Sequence, residues 1–135
     1  MVVVAISAGC GGGSSGKPAT KAQWLTQHGT ATSAVGTELE QARTALMAGD
    51  RQAVLGACSL LGDDVTEARK GLPVPDAATD AALRRGLDAV GVGAADCLQG
   101  ARVASNASLN EKAMAELTDA RARMDAADRA LAAWH

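Results

Sequence analysis

From Asp50 to Asp76 the chain reads DRQAVLGACSLLGDDVTEARKGLPVPD, and this stretch decides the fold. Val54, Cys58, Leu61, Val65 and Ala68 recur at spacings of four and three, which puts them on one face of an α-helix. Asp50 stands where an N-cap is wanted, because its short carboxylate can accept from the free N–H groups of the first turn. Arg69 and Lys70 fall in the last turn, where positive charge suits the negative end of the helix dipole. Gly71 and Pro73 then stop the helix. In Leu72-Pro73-Val74-Pro75 each proline pushes the preceding residue toward extended backbone, so an extended connector is predicted there. Asp76 is placed to cap the helix that follows.

The same spacing continues on both sides. Downstream it picks out Leu83, Leu87, Val90, Ala94, Cys97 and Ala101, with an end expected between Gly100 and Ser105. Gly91 and Gly93 loosen the middle of that helix or admit a close neighbour. Ser108 with Glu111 forms the pattern of a capping box. That cap explains Asn106-Ala107-Ser108 better than its match to a glycosylation acceptor does. A fourth helix follows, with Ala113, Leu117, Ala120, Met124, Ala127, Leu131 and Trp134 on its stripe. Upstream, Thr20 with Gln23 makes another capping box. It opens a helix carrying Trp24, His28, Ala31, Val35, Leu39, Ala42 and Leu46, stopped by Gly49. Gly29 and Gly36 invite a kink inside it. Four amphipathic helices with short connections predict an all-α, antiparallel up-down-up-down four-helix bundle over residues 20–135. Each stripe is narrow, as in a coiled-coil seam.

Composition limits the core and the function. Phe and Tyr are absent, and Trp24 and Trp134 are the only aromatics. Much of the apolar content is alanine, which forms helices well but offers little surface to bury. The formal net charge is −2, which speaks against a nucleic-acid partner, since that needs a basic face. No apolar run approaches the roughly 20 residues of a membrane span.

The first twenty residues read MVVVAISAGCGGGSSGKPAT. Val2 to Ala8 is apolar and ends in small residues, Cys10 follows, and a Gly/Ser run continues to Gly16. Ser7-Ala8-Gly9-Cys10 resembles the lipobox of bacterial lipoproteins, although Ser7 stands where an aliphatic residue is usual and no Lys or Arg precedes the apolar run. In that family the signal is removed before the cysteine, which becomes the lipidated first residue. The resemblance implies a signal-peptide remnant at 1–9 and a lipidated Cys10 with a disordered Gly/Ser tether over 10–19. A missing n-region implies a true start upstream of Met1. Two other readings stay open: a bland tail, and a phosphate loop. Gly11-x4-Gly16-Lys17 fits the latter, but Pro18 stands where a Mg²⁺-binding Ser or Thr belongs. Trp24, Cys58, the Leu72-Pro73-Val74-Pro75-Asp76 connector and Cys97 resemble small actinobacterial lipoproteins to which no activity is assigned.

Under that resemblance the three cysteines divide. Cys10 takes the lipid, leaving Cys58 and Cys97 on core stripes of consecutive helices in an oxidising compartment, where a disulfide is expected. The alternative is two buried free thiols. The bridge makes a demand on registry. Cys97 lies about two turns further from the connector than Cys58 does, so the third helix must begin well beyond the end of the second. Leu72 to Pro75 would have to project outward, and four extended residues reach at most about 14 Å.

No catalytic group is expected. His28 sits on an apolar stripe without a second ligand at metal-binding spacing, and His135 is terminal. Asp63 and Asp64 are adjacent, so they diverge on a helix instead of converging for acid–base work. Asp119 with Arg123, Asp125 with Arg129, and Arg84 and Arg85 beside Asp80 and Asp88 read as surface pairs. The function implied is a lipid-anchored, extracytoplasmic envelope lipoprotein. Its bundle, with no cofactor or metal, binds an envelope or extracellular protein. The alternative is a carrier holding a small apolar ligand between helices, in space left by Gly91 and Gly93.

Overall fold

The computed structural model describes residues 17–103 and 107–135. Four helices follow in chain order: α1 Lys21–Ala48, α2 Arg51–Arg69, α3 Ala77–Arg102 and α4 Ala107–Ala133. Each packs on the next, and α1 meets α4 to close the ring. This is the four-helix bundle the spacing predicts. Val2 to Val4, the one strand-like run, lies outside the described residues.

The helix boundaries follow local chemistry. At the start of α1 the Thr20 hydroxyl accepts from the Gln23 N–H at 3.2 Å, and the Gln23 side chain accepts from the Thr20 N–H at 2.8 Å. Gly49 ends α1 with φ of 71°, a left-handed conformation that favours glycine. Asp50 accepts from Gln52 and Ala53 to cap α2, and Asp76 accepts from Thr79 to cap α3. Ser108 departs from expectation. α4 already begins at Ala107, so Ser108 lies inside the helix. Gly29 and Gly36 do not interrupt α1, which runs as one helix. Packing along its whole length outweighs the roughly 1 kcal/mol that each glycine costs a helix.

The core is made of small residues closely fitted. Every residue of the predicted α2 and α3 stripes is buried. On α1, Thr32 is buried beside half-buried Ala31, and its hydroxyl is satisfied by donating to the His28 carbonyl at 3.0 Å. The α3 face is wider than a narrow seam. Thr79, Ala82, Gly86, Gly93 and Gly100 are buried as well, because α3 packs on both α2 and α4. A Cβ at Gly86 would lie 2.7 Å from Met124 Sδ, and one at Gly93 would lie 2.7 Å from Leu117 Cδ2. At Gly100 it would lie 3.3 Å from Leu109 Cβ. The three glycines recur every seven residues along α3. Antiparallel α4 therefore lays its larger side chains into three successive glycine notches, the heptad logic of knobs into holes.

The connector solves the registry problem differently from the expectation. α3 does extend beyond the end of α2, by roughly 13 Å at 1.5 Å rise per residue. The loop between them does not project freely outward. Gly71 and Val74 are buried while Pro73 and Pro75 face solvent, and the Leu72–Pro73 bond is cis. The Val74 N–H donates to the Asp80 carboxylate at 2.8 Å, and the Gly71 carbonyl accepts from the Trp24 indole at 2.8 Å.

Candidate functional site

Cys58 and Cys97, predicted from their stripes, are brought together. They form a disulfide with Cα atoms 6.1 Å apart, within the span that a bridge requires. Both are fully buried. The bridge joins α2 to α3 and so ties the α1–α2 hairpin to the α3–α4 hairpin. Cys10 lies outside the described residues.

Trp24 is the second anchor. It is 3% exposed, and its indole N–H reaches the Gly71 carbonyl, as an amphipathic ring in a core should. His28 lies 5.8 Å from it, ring centre to ring centre, and Trp134 packs edge-on at 6.3 Å. Gly71 lets the connector approach closely, since a Cβ would lie 3.0 Å from the His28 ring carbon Cγ. His28 is therefore a packing residue in this cluster. Among the described residues no three His, Cys, Asp or Glu side chains are grouped to hold a metal. Among them, too, no helix is long and apolar enough to cross a membrane.

Ion pairs follow the helix surface with two departures. Arg123–Asp119 at 2.7 Å and Arg84–Asp80 at 2.8 Å form as their spacing predicts. Asp125 pairs with Arg121 at 2.9 Å instead of with Arg129. Asp88 leaves its own helix to meet Arg69 of α2 at 2.9 Å. Arg121 also reaches Glu40 of α1 at 2.7 Å, across the α1–α4 seam. Arg69 and Arg121 thus find partners across helices, while Arg121–Asp125 still obeys the i,i+4 rule.

Sequence reasoning missed two clusters. Arg51 donates from Nε to the Ala101 carbonyl and from Nη2 to the Arg102 carbonyl, so a guanidinium of α2 caps the C-terminus of α3. Lys112 of α4 stands 3.1 Å from Asp96 of α3 and 3.7 Å from Glu116. Burial, then the neighbouring Asp96, pushes the Glu116 carboxyl above its usual range. Hydrogen bonds from Glu116 and Lys112 hold Asp96 below its own. Neither cluster has a sequence signature, since each joins residues of different helices. Asp64 is pushed up by burial and by Asp63.

The openings in the protein are surface grooves. One of about 560 Å³ runs between α3 and α4, lined by Arg85, Ala89, Val92, Ala115, Glu116 and Arg123. Another of about 410 Å³ lies on the α1–α4 seam, lined by Thr32, Ser33, Gly36, Thr37, Asp125 and Asp128. Of the two glycines expected to leave space, Gly93 is filled by Leu117, while Gly91 lines a surface groove of about 620 Å³ between α2 and α3, with Val65, Val92 and Leu98. No protein-family model matches the chain, and no curated protein or solved structure matches it.

Proposed function

We propose that this chain is a cell-envelope lipoprotein, held at the extracytoplasmic face of the membrane by a lipid on Cys10. Its helical bundle serves as a binding domain for an envelope or extracellular protein and catalyses no reaction. The observation that carries the reading is Ser7-Ala8-Gly9-Cys10 standing between an apolar run and a Gly/Ser tether. The paired, fully buried Cys58 and Cys97 support it, because disulfides persist in oxidising compartments outside the cytoplasm.

The test is fractionation of the protein expressed from its own locus. The native form should sediment with membranes, and Cys10→Ala should move it to the soluble fraction. Equal membrane partition of the two forms would contradict the reading.

A second reading, a carrier of a small apolar ligand, is favoured by one observation. The α1–α4 seam is the sparsest contact in the ring, and a groove of about 410 Å³ lies along it. A ligand held between helices would enter there.

A further inference from the structure

Four pieces of the chain meet at one end of the bundle: the start of α1, the loop after α2, the start of α3 and the close of α4. Trp24 ties three of them together. Its indole donates to the Gly71 carbonyl, and its ring meets Trp134 at 6.3 Å. The outer surface of this end is apolar: Ala22, Leu25, Pro73, Pro75, Ala78 and Ala133 are exposed, and Trp134 is half-buried. Two lysines border it. Lys17 is exposed and Lys21 half-buried, and neither has an ion pair among the described residues. Lys21 opens α1, whose first turn holds no acid. Positive charge at that position opposes the helix dipole, so the helix gains nothing from it. The acids of this end are engaged elsewhere. Asp76 accepts from Thr79, Asp80 accepts from Val74 and pairs with Arg84, and Glu67 pairs with Lys70.

Apolar exposure alone does not single out this end, because Met47 and Val103 are exposed at the other. The path of the chain does. From Cys10 to Lys21 the chain reaches at most about 40 Å when fully stretched, and a Gly/Ser coil of that length averages about 20 Å. α1, with 28 residues, is itself about 42 Å long. Standing the bundle on its far end would lift Lys21 to the limit of the stretched chain.

We propose that the bundle stands on the membrane with the Trp24–Trp134 end down, its apolar cap against the lipid interface and Lys17 and Lys21 against anionic headgroups. An aromatic ring is at home at headgroup level, and lysines gain from the negative potential of an anionic leaflet within a Debye length of it. The lipid on Cys10 supplies the attachment, and these contacts set the orientation. The far end, with Met47 and Val103, is turned outward. This inference rests on the lipid-anchor reading and adds an orientation to it.

The test supplies the anchor chemically. The full chain, with its native bridge, is coupled through Cys10 to a maleimide lipid in vesicles of equal parts phosphatidylcholine and phosphatidylglycerol. Acyl chains brominated near the headgroup quench any tryptophan that reaches the interface. Two variants add a reporter at an exposed position, Ala78→Trp at the near end and Met47→Trp at the far end. The added fluorescence of Ala78→Trp should be largely quenched and that of Met47→Trp should not. Should Ala78→Trp lose helical circular dichroism, Ala22→Trp takes its place. Lys17→Gln with Lys21→Gln should cut the near-end quenching at least about twofold. Equal quenching of the two reporters, quenching of neither, or near-end quenching indifferent to the lysines overturns the inference. Because the anchor is coupled in vitro, this result does not depend on whether the host lipidates Cys10, and its failure leaves the outcome of membrane fractionation standing.

Discussion

The α3–α4 seam and the α1–α4 seam share one helix and differ in almost everything else. On the α3 side, α4 sets Met124 and Leu117 into notches where glycine leaves no side chain, so the backbones come close and a thin alanine core still packs to density. On the α1 side, the same helix meets Thr32, Ser33, Gly36 and Thr37 across a polar-lined groove, with an ion pair and an aromatic contact as ties. Glycine does opposite things in the two places. At Gly93 it makes room for a neighbour; at Gly36 no neighbour comes. A sequence with no Phe or Tyr therefore reaches stability through fit on one side and leaves the other side loose.

The largest effect should come from the bridge that links the two hairpins. Replacing both cysteines, Cys58→Ala with Cys97→Ala, should lower stability by about 4 kcal/mol in the chain-entropy account of loop closure. Chemical denaturation of the oxidised and variant proteins measures it. A loss below 1 kcal/mol would mean that close packing alone holds α2 to α3.

Next comes the aromatic anchor of the loose side. Trp24→Ala removes a ring buried against the connector and strands the Gly71 carbonyl, and should cost about 3 kcal/mol or more. A change under about 0.5 kcal/mol in the same denaturation would show the first turn of α1 frayed from the core.

One substitution at two positions then sharpens the contrast between seams. Gly93→Ala gains helix propensity but forces Leu117 out of its notch, for a net loss of about 1 kcal/mol. Gly36→Ala meets nothing and should raise stability by about 0.5 to 1 kcal/mol. Effects of the same sign would erase the distinction.

The smallest effect concerns acid. The Arg84 hydrogen bond, and then the Val74 N–H, hold the Asp80 carboxyl below its ordinary range. A group lowered on folding stabilises above its unfolded pKa, near 3.9, and that contribution disappears as pH falls through the folded value. Asp80→Asn should therefore flatten the fall in stability below about pH 4. An unchanged acid limb in a urea titration at several pH values would show that Asp80 is not linked to folding.

Much of this was legible in the residues. The α2 and α3 stripes and the caps at Thr20, Asp50 and Asp76 depend on neighbours three or four positions away, which periodicity can see. The Cys58–Cys97 pairing followed from the stripes together with the lipoprotein resemblance, which assigned Cys10 to a lipid. Contacts between helices were less visible. Gly86, Gly93 and Gly100 recur every seven residues, a pattern the reading of Gly91 and Gly93 did not include, and only the partner helix shows that they are notches. The clasp from Arg121 to Glu40, the Arg51 cap on α3 and the inward fold at Val74 join residues far apart in sequence, so no local spacing announces them. Of the candidate site, the bridge was readable and the polar groove of the α1–α4 seam was not, because a run of Thr, Ser and Gly on α1 fits a solvent face equally well.

The functional account turns on Cys10. Intact-mass and peptide mass spectrometry of the protein recovered from membranes of its native host should find an N-terminus beginning at Cys10 and carrying a thioether-linked lipid. The same spectrum should show Cys58 and Cys97 two hydrogens lighter, as a disulfide. A peptide running unmodified through Gly9-Cys10-Gly11 would contradict the lipoprotein reading outright.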